Sequence, residues 1–242
     1  DGLVHVLLRG DPLADPVAQP VVTLDPAGNE VARWGSEVAD GHMLAAHPDG
    51  RVFVVDRDRH RILIFRDRQV IGQLGETDTP LAPFNHPCAV AFAPDGTVLV
   101  ADGYANHRIH RFSPEGRLIG GWGSHGRAPG AFRAPHDIAV LPDGGVAVAD
   151  RENDRVQVFD PDGELRAIVE DPYKPMGLYA DAQGTVFATD RVPAMTMAAA
   201  DGSVLGRCRP VLNGAHGLDG APDGTLYLAE MEPSRLTRLV PA

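Results

Sequence analysis

Three histidines, His42, His136 and His216, occupy one position of an internal repeat and fall in alternate copies of it. Three imidazoles around one ion, with a coordination position left open, is how a protein builds a catalytic metal site. The repeat shows through its turn, which reads HPDG at His47–Gly50, APDG at Ala93–Gly96, LPDG at Leu141–Gly144, DAQG at Asp181–Gly184 and APDG at Ala221–Gly224. Seven residues before the Asp of each turn, or before the Gln that replaces it, stand His42, Cys88, His136, Met176 and His216. If each copy is one blade of a six-membered ring, alternate copies lie about 120° apart around one axis. The three imidazoles then converge on that axis. The competing reading is three core histidines satisfied by ordinary hydrogen bonds; their alternation weighs against it.

Outside that register the copies differ, and the differences collect in the loop after each second strand. The loops read DRDRHR (Asp56–Arg61), DGYANHR (Asp102–Arg108) and DRENDR (Asp150–Arg155). Tyr104 could serve as a proton acceptor if a nearby cation or metal brought its pKa down from about 10; the alternative is a loop tyrosine packed on the next blade. Arg151 could clamp a carboxylate with its two-pronged guanidinium, or simply pair with Glu152. Arg9, in LLRGDP, is a third candidate at the end of the opening strand. The acids Asp56, Asp102, Asp150 and Asp190 are expected to be structural, tying the loop that follows by accepting backbone N–H bonds. Cys88 and Cys208 lie in separate copies and do not read as a disulfide framework. Cys88 shares the histidine register, but a small buried packing residue is its simpler reading.

The elements that must position these groups are short strands. After each PDG turn comes a β-rich run ending in an acid, then a second run such as Arg61–Phe65, Arg108–Phe112 or Arg155–Phe159. An outer turn, SPEG at Ser113–Gly116 or DPDG at Asp160–Gly163, leads to an edge strand such as Arg117–Trp122 or Glu164–Val169. Copies recurring about every 40–48 residues with four strands each are the signature of propeller blades. Five clear copies and an N-terminal segment with its own outer turn, DPAG at Asp25–Gly28, predict an all-β, six-bladed β-propeller in a single domain. The expected blades run 1–40, 41–85, 86–133, 134–172, 173–212 and 213–242. Leu3–Leu8 is expected to cross over and complete the last of them, because a closed ring removes exposed edges.

Composition narrows the function. The formal charge of -11 over 242 residues argues against a nucleic-acid groove. No run is long and apolar enough to cross a membrane as a helix, and Asp1-Gly2 leads straight into strand-like sequence, so any targeting segment is expected to be absent or already removed. Lys174 is the only lysine, a scarcity that reads as coding bias rather than chemistry. Partners are expected to be small: a small-molecule or peptide substrate carrying a carboxylate, acted on by a monomer, with no nucleic acid and no membrane.

The stretch FNHPCAVAFAPDGTVLVADGYANHRIHRFSPEGRLIGGWG, followed by PGAFRAPHDIAVLPDGGVAVADRENDRVQVF, resembles the NHL-repeat lyase core of the peptidyl-α-hydroxyglycine α-amidating lyases. The resemblance is densest over Phe84–Phe159. It implies a six-bladed propeller holding a catalytic metal, zinc first and ferrous iron second, on His42, His136 and His216. It places the family's catalytic tyrosine on Tyr104 and its substrate arginines on Arg151 and Arg9. The implied reaction splits an N-(α-hydroxyalkyl) amide, such as a peptidyl-α-hydroxyglycine, into an amide and an aldehyde, here glyoxylate. Two departures stand out. Where the family has Met-Pro-His-Asp, with the Asp serving a structural calcium, this chain has Gly214-Ala215-His216-Gly217, so no tightly bound calcium is expected unless Asp137 or Asp219 supplies oxygen. Ala105 stands where a disulfide cysteine is expected, which favours a soluble cytoplasmic protein over a secreted one. The alternatives are a lactonase-like or otherwise repurposed propeller metalloenzyme, and a non-catalytic NHL interaction module. Glu, Asn and Asp ligands would mark the lactonase-like enzyme, and a basic or apolar patch the interaction module.

Overall fold

A computed structural model of the chain describes residues 2–10, 13–210, 213–231 and 234–241. The described residues form six antiparallel sheets in which each strand pairs with its sequence neighbour: an all-β, six-bladed β-propeller. The only helical elements among them are two 3-10 turns, Arg57–Arg59 and Arg151–Asn153. None is long and apolar enough to cross a membrane.

The chain divides into two compact units, Asp1–Val90 and Ala91–Ala242. The first holds the sheet of Val4–Leu7, Val21–Leu24 and Glu30–Trp34, and the sheet of Gly41–Ala46, Val52–Asp56, Arg61–Arg66 and Gln69–Leu74. Val21, Trp34, Val38, Val52, Val54, Leu63 and Phe65 pack between them as one core. In the second unit, the strand pairs Val146–Asp150 with Arg155–Phe159 and Val186–Thr189 with Met195–Ala198 belong to successive sheets. Between these lies a core of small residues that includes Ala147, Ala149, Val158, Ala188 and Ala198. Met195, Leu218 and Leu228 join the fifth sheet to the sixth, Ala215–Gly220, Leu226–Glu230 and Arg235–Leu239.

The second strands Val52–Asp56, Val98–Asp102 and Val146–Asp150 are buried at every position, as apolar strands covered on both faces must be. The edge strand Gln69–Leu74 is exposed at four of its six positions. The PDG turns tie first strand to second. Asp49, Asp95, Asp143 and Asp223 each accept the backbone N–H two residues on, and the following glycine takes a φ between 84° and 88° that only glycine adopts without strain. In DAQG the capping moves to the first residue: Asp181 accepts from Gln183 and Thr185, which is why the Gln is tolerated.

One expectation is corrected. Val4–Leu7 pairs with Val21–Leu24, Val4 opposite Leu24 and Leu7 opposite Val21, in the first sheet. It does not complete the last. Val21 and Trp34 bury against the second sheet, so pairing in its own sheet gives this short strand a covered neighbour.

Candidate active site

Each of the three histidines sits in an irregularity of its strand. Pairing in the second sheet runs from Gly41–Asp56 to Leu44–Val54, skipping His42. In the fourth it runs from Pro135–Asp150 to Ile138–Val148, skipping His136. In the sixth it runs from Ala215–Glu230 to Gly217–Ala229, skipping His216. Extra residues in one strand bend it and re-aim the side chain they carry. The residues in the same register of the third and fifth copies, Cys88 and Met176, lie just before their first strands, Ala89–Phe92 and Leu178–Ala180. They contribute carbonyls instead. His42 Nδ1 donates to the Cys88 carbonyl at 2.8 Å, and His136 Nδ1 to the Met176 carbonyl at 2.9 Å. A carbonyl only accepts, so the proton is on Nδ1 and Nε2 carries the lone pair.

Within the second unit the sequence-predicted groups come together. The His136 and His216 rings lie 4.8 Å apart and near perpendicular, with ligating nitrogens within 4.8 Å of each other. His136 is fully buried and His216 partly so. Tyr104, in the turn after Val98–Asp102, stands edge-on to His136 at 6.0 Å between ring centres. Arg151 opens the 3-10 turn Arg151–Asn153, its N–H bonded to the Ala134 carbonyl, and its Nη1 comes within 3.5 Å of the Tyr104 hydroxyl. Its Nε is buried without a hydrogen bond and 3.5 Å from Glu152 Oε1.

The first unit carries His42 and Arg9. His42 is buried. Arg9 is exposed and pairs with Asp40 at 3.4 Å, and Arg57 meets the other Asp40 oxygen at 2.8 Å. Burial pushes the Asp40 carboxyl up against the pull of Arg57 and Arg9. Sequence reasoning passed over Arg57, yet the repeat contained the signal. It follows Asp56 as Arg151 follows Asp150, opens the matching 3-10 turn, and bonds the Asp40 carbonyl as Arg151 bonds that of Ala134.

Of the strand-closing acids, Asp190 accepts the Ala194 N–H of the loop that follows, as expected, whereas the backbone N–H groups on Asp56 and Asp150 lie ahead of the first strand. Asp56 Oδ1 accepts from Ala39 and Asp40 N–H, and Asp150 Oδ1 from Arg133 N–H at 2.8 Å, all ahead of a histidine-bearing strand. Their Oδ2 atoms take Nε of Arg61 and Arg155. Each acid therefore joins the entry of the first strand to the start of the third. Both Asp137 oxygens accept backbone N–H groups, from Ile138 and from Leu178, which commits that carboxylate to linking two sheets. Burial, with a lesser push from Asp219, nevertheless raises its pKa to about 7. Cys88 is buried and Cys208 exposed, and neither is in a disulfide.

Residues 84–112 and 132–159 match the NHL repeat family. The chain is 31% identical over 217 residues to mouse peptidyl-glycine alpha-amidating monooxygenase, a match covering 78% of this chain and 22% of that protein. It is 28% identical over 229 residues to a probable peptidyl-alpha-hydroxyglycine alpha-amidating lyase of Caenorhabditis elegans, covering 82% of this chain and 63% of the relative. The chain thus spans about a fifth of the mouse protein. Among solved structures, a catalytically inactive virginiamycin B lyase from Staphylococcus aureus with quinupristin superposes with a TM-score of 0.68 at 15% identity, covering 98% of this chain and 85% of the other. That likeness concerns the fold. In sequence, the chain is an NHL-repeat propeller that resembles the peptidyl-α-hydroxyglycine α-amidating lyases.

Proposed function

We propose that the chain is a metal-dependent lyase that cleaves an N-(α-hydroxyalkyl) amide to an amide and an aldehyde, with peptidyl-α-hydroxyglycine giving a peptide amide and glyoxylate. One observation carries the reading. A tyrosine hydroxyl, a guanidinium and a pair of imidazoles, one fully and one partly buried, meet in the second unit, through Tyr104, Arg151, His136 and His216.

His42, His136 and His216 would hold one transition-metal ion, zinc before ferrous iron. The donor set fits such an ion. His42 and His136 are fixed with the proton on Nδ1 by a backbone carbonyl, the outer contact that metal-bound imidazoles make. A bound dication lowers the pKa of a hydroxyl it contacts by several units.

Tyr104 takes the carbinol hydroxyl proton, and Arg151 supplies the neighbouring cation that this role requires. The C–N bond breaks as the carbonyl of the aldehyde forms, and a proton reaches the leaving amide nitrogen. The net change is one proton moved from oxygen to nitrogen. Arg151 holds the substrate carboxylate.

The test is an N-acyl-α-hydroxyglycine incubated with metal-loaded protein, with glyoxylate as readout and elemental analysis alongside. One equivalent of metal and enzyme-dependent glyoxylate are expected. Metal-loaded protein that releases none overturns the reading.

A further inference from the structure

The chain's only lysine lies one side chain away from Arg151. Lys174 Nζ is 2.9 Å from Glu152 Oε2, while the other carboxylate oxygen, Oε1, lies 3.5 Å from Arg151 Nε. Glu152 is therefore shared, and the tighter partner is the lysine. The lysine is also held in place. Its backbone has a left-handed φ of 51°, and its N–H donates to Asp154 Oδ1, the residue that ends the 3-10 turn opened by Arg151. Lysine, arginine and glutamate are thus fixed to one short piece of backbone. Burial opposes ionisation of Glu152. The Lys174 hydrogen bond and the charges of Lys174, Arg151 and Arg133 outweigh it and hold the carboxyl below its usual value. Three cations, Lys174, Arg151 and Arg133, thus act on this one carboxylate.

We infer that Lys174 is a positioning residue that sets selectivity for anionic ligands: by holding Glu152, it keeps the Arg151 guanidinium available to a substrate carboxylate. This rests on the reading of Arg151 as a carboxylate clamp. A free Glu152 carboxylate is the competitor that every arginine clamp beside a glutamate faces, since the two anions seek the same donors. The Nε of Arg151 makes no hydrogen bond and faces Glu152 Oε1 only at 3.5 Å, so Glu152 does not hold the guanidinium tightly. Lys174 would act through Glu152 and not touch the substrate, so its effect must vanish when Glu152 carries no charge.

Calorimetric titration of the metal-loaded protein uses two unreactive probes, N-benzoylglycine and its neutral primary amide, with Lys174→Met, Lys174→Arg, Glu152→Gln and the Lys174→Met/Glu152→Gln double variant. Wild type is expected to favour the carboxylate. Lys174→Met should weaken carboxylate binding about two- to fivefold, the reach of a partly exposed ion pair, and leave the amide unmoved. Lys174→Arg should match wild type, and the double variant should bind like Glu152→Gln alone. In kinetics with N-benzoyl-α-hydroxyglycine, the Lys174→Met loss should fall on KM and not on kcat. The inference is overturned if wild type does not distinguish the probes, if Lys174→Met weakens both equally, or if it costs as much in the Glu152→Gln background. The expected binding pattern without any glyoxylate would overturn the lyase reading alone. Glyoxylate production with no selective effect of Lys174→Met would overturn this inference alone.

Discussion

Asp150 is the most heavily used carboxylate near the site, and replacing it by alanine should cost stability before it costs chemistry. Its Oδ1 accepts the Arg133 N–H at 2.8 Å; its Oδ2 accepts Asn153 Nδ2 at 2.8 Å, Arg155 Nε at 2.9 Å and Gln157 Nε2 at 3.2 Å. Asp150 has no solvent exposure, and the Arg155 side chain is 9% exposed. Asp150→Ala therefore strands a buried guanidinium, although Ala128 and Ala131 carbonyls still accept its Nη2. Removing one partner of a buried ion pair costs about 3–5 kcal/mol. In a chain of this size each kcal/mol shifts Tm by about 2–4 °C, so a fall of about 6–20 °C is expected. Thermal and urea melts read by tryptophan fluorescence would measure the Tm fall and the free-energy loss, because Trp122, in the preceding sheet, packs on Phe159 of the sheet that holds Asp150. Arg155→Met removes the stranded charge, so the double variant should recover part of the loss. A single-variant loss below about 1 kcal/mol would refute the argument, because such a value belongs to an exposed pair.

Tyr104→Phe keeps the ring against His136 and deletes the hydroxyl, so kcat on an N-acyl-α-hydroxyglycine should fall about 10²–10⁴-fold with an unchanged melt; a wild-type kcat would exclude Tyr104 as the base. Removing metal with a chelator should lower the wild-type Tm, and re-addition should restore it, because an ion bound only by the folded state stabilises it; His136→Ala should melt at one temperature under both conditions. Burial first, and the neighbouring His125 second, lower the pKa of His107 from 6.5. The unfolded chain therefore binds this proton more readily, and stability should be lost as pH falls below about 6.5. His107→Gln should flatten the denaturation profile between about pH 7 and 5, and an unchanged slope would mean that another group titrates there.

The sequence carried the blade pattern because each level of it agreed: period-2 strands, a turn with Asp and Gly at fixed offsets, and an acid closing the second strand. It also carried the identity of the imidazoles, since repeat register is a one-dimensional property. Their aim was not legible. It depends on a bulge in each histidine strand, and no residue type announces those skipped positions: Gly41, Pro135 and Ala215 precede them without a common chemistry. The opening strand was misplaced because closure is a global preference, whereas the burial of Val21 and Trp34 is decided locally. The link between Lys174 and Glu152 escaped for a related reason. Read along the chain, one lysine among 22 basic residues is a matter of composition. Only the fold places it on the glutamate that competes for Arg151. The proposed ligands share one repeat position, and the proposed base, Tyr104, lies in a loop where the copies differ, so both could be nominated along the chain. The groups that tune them belong to single loops, so their roles are fixed by tertiary contacts that spacing does not encode.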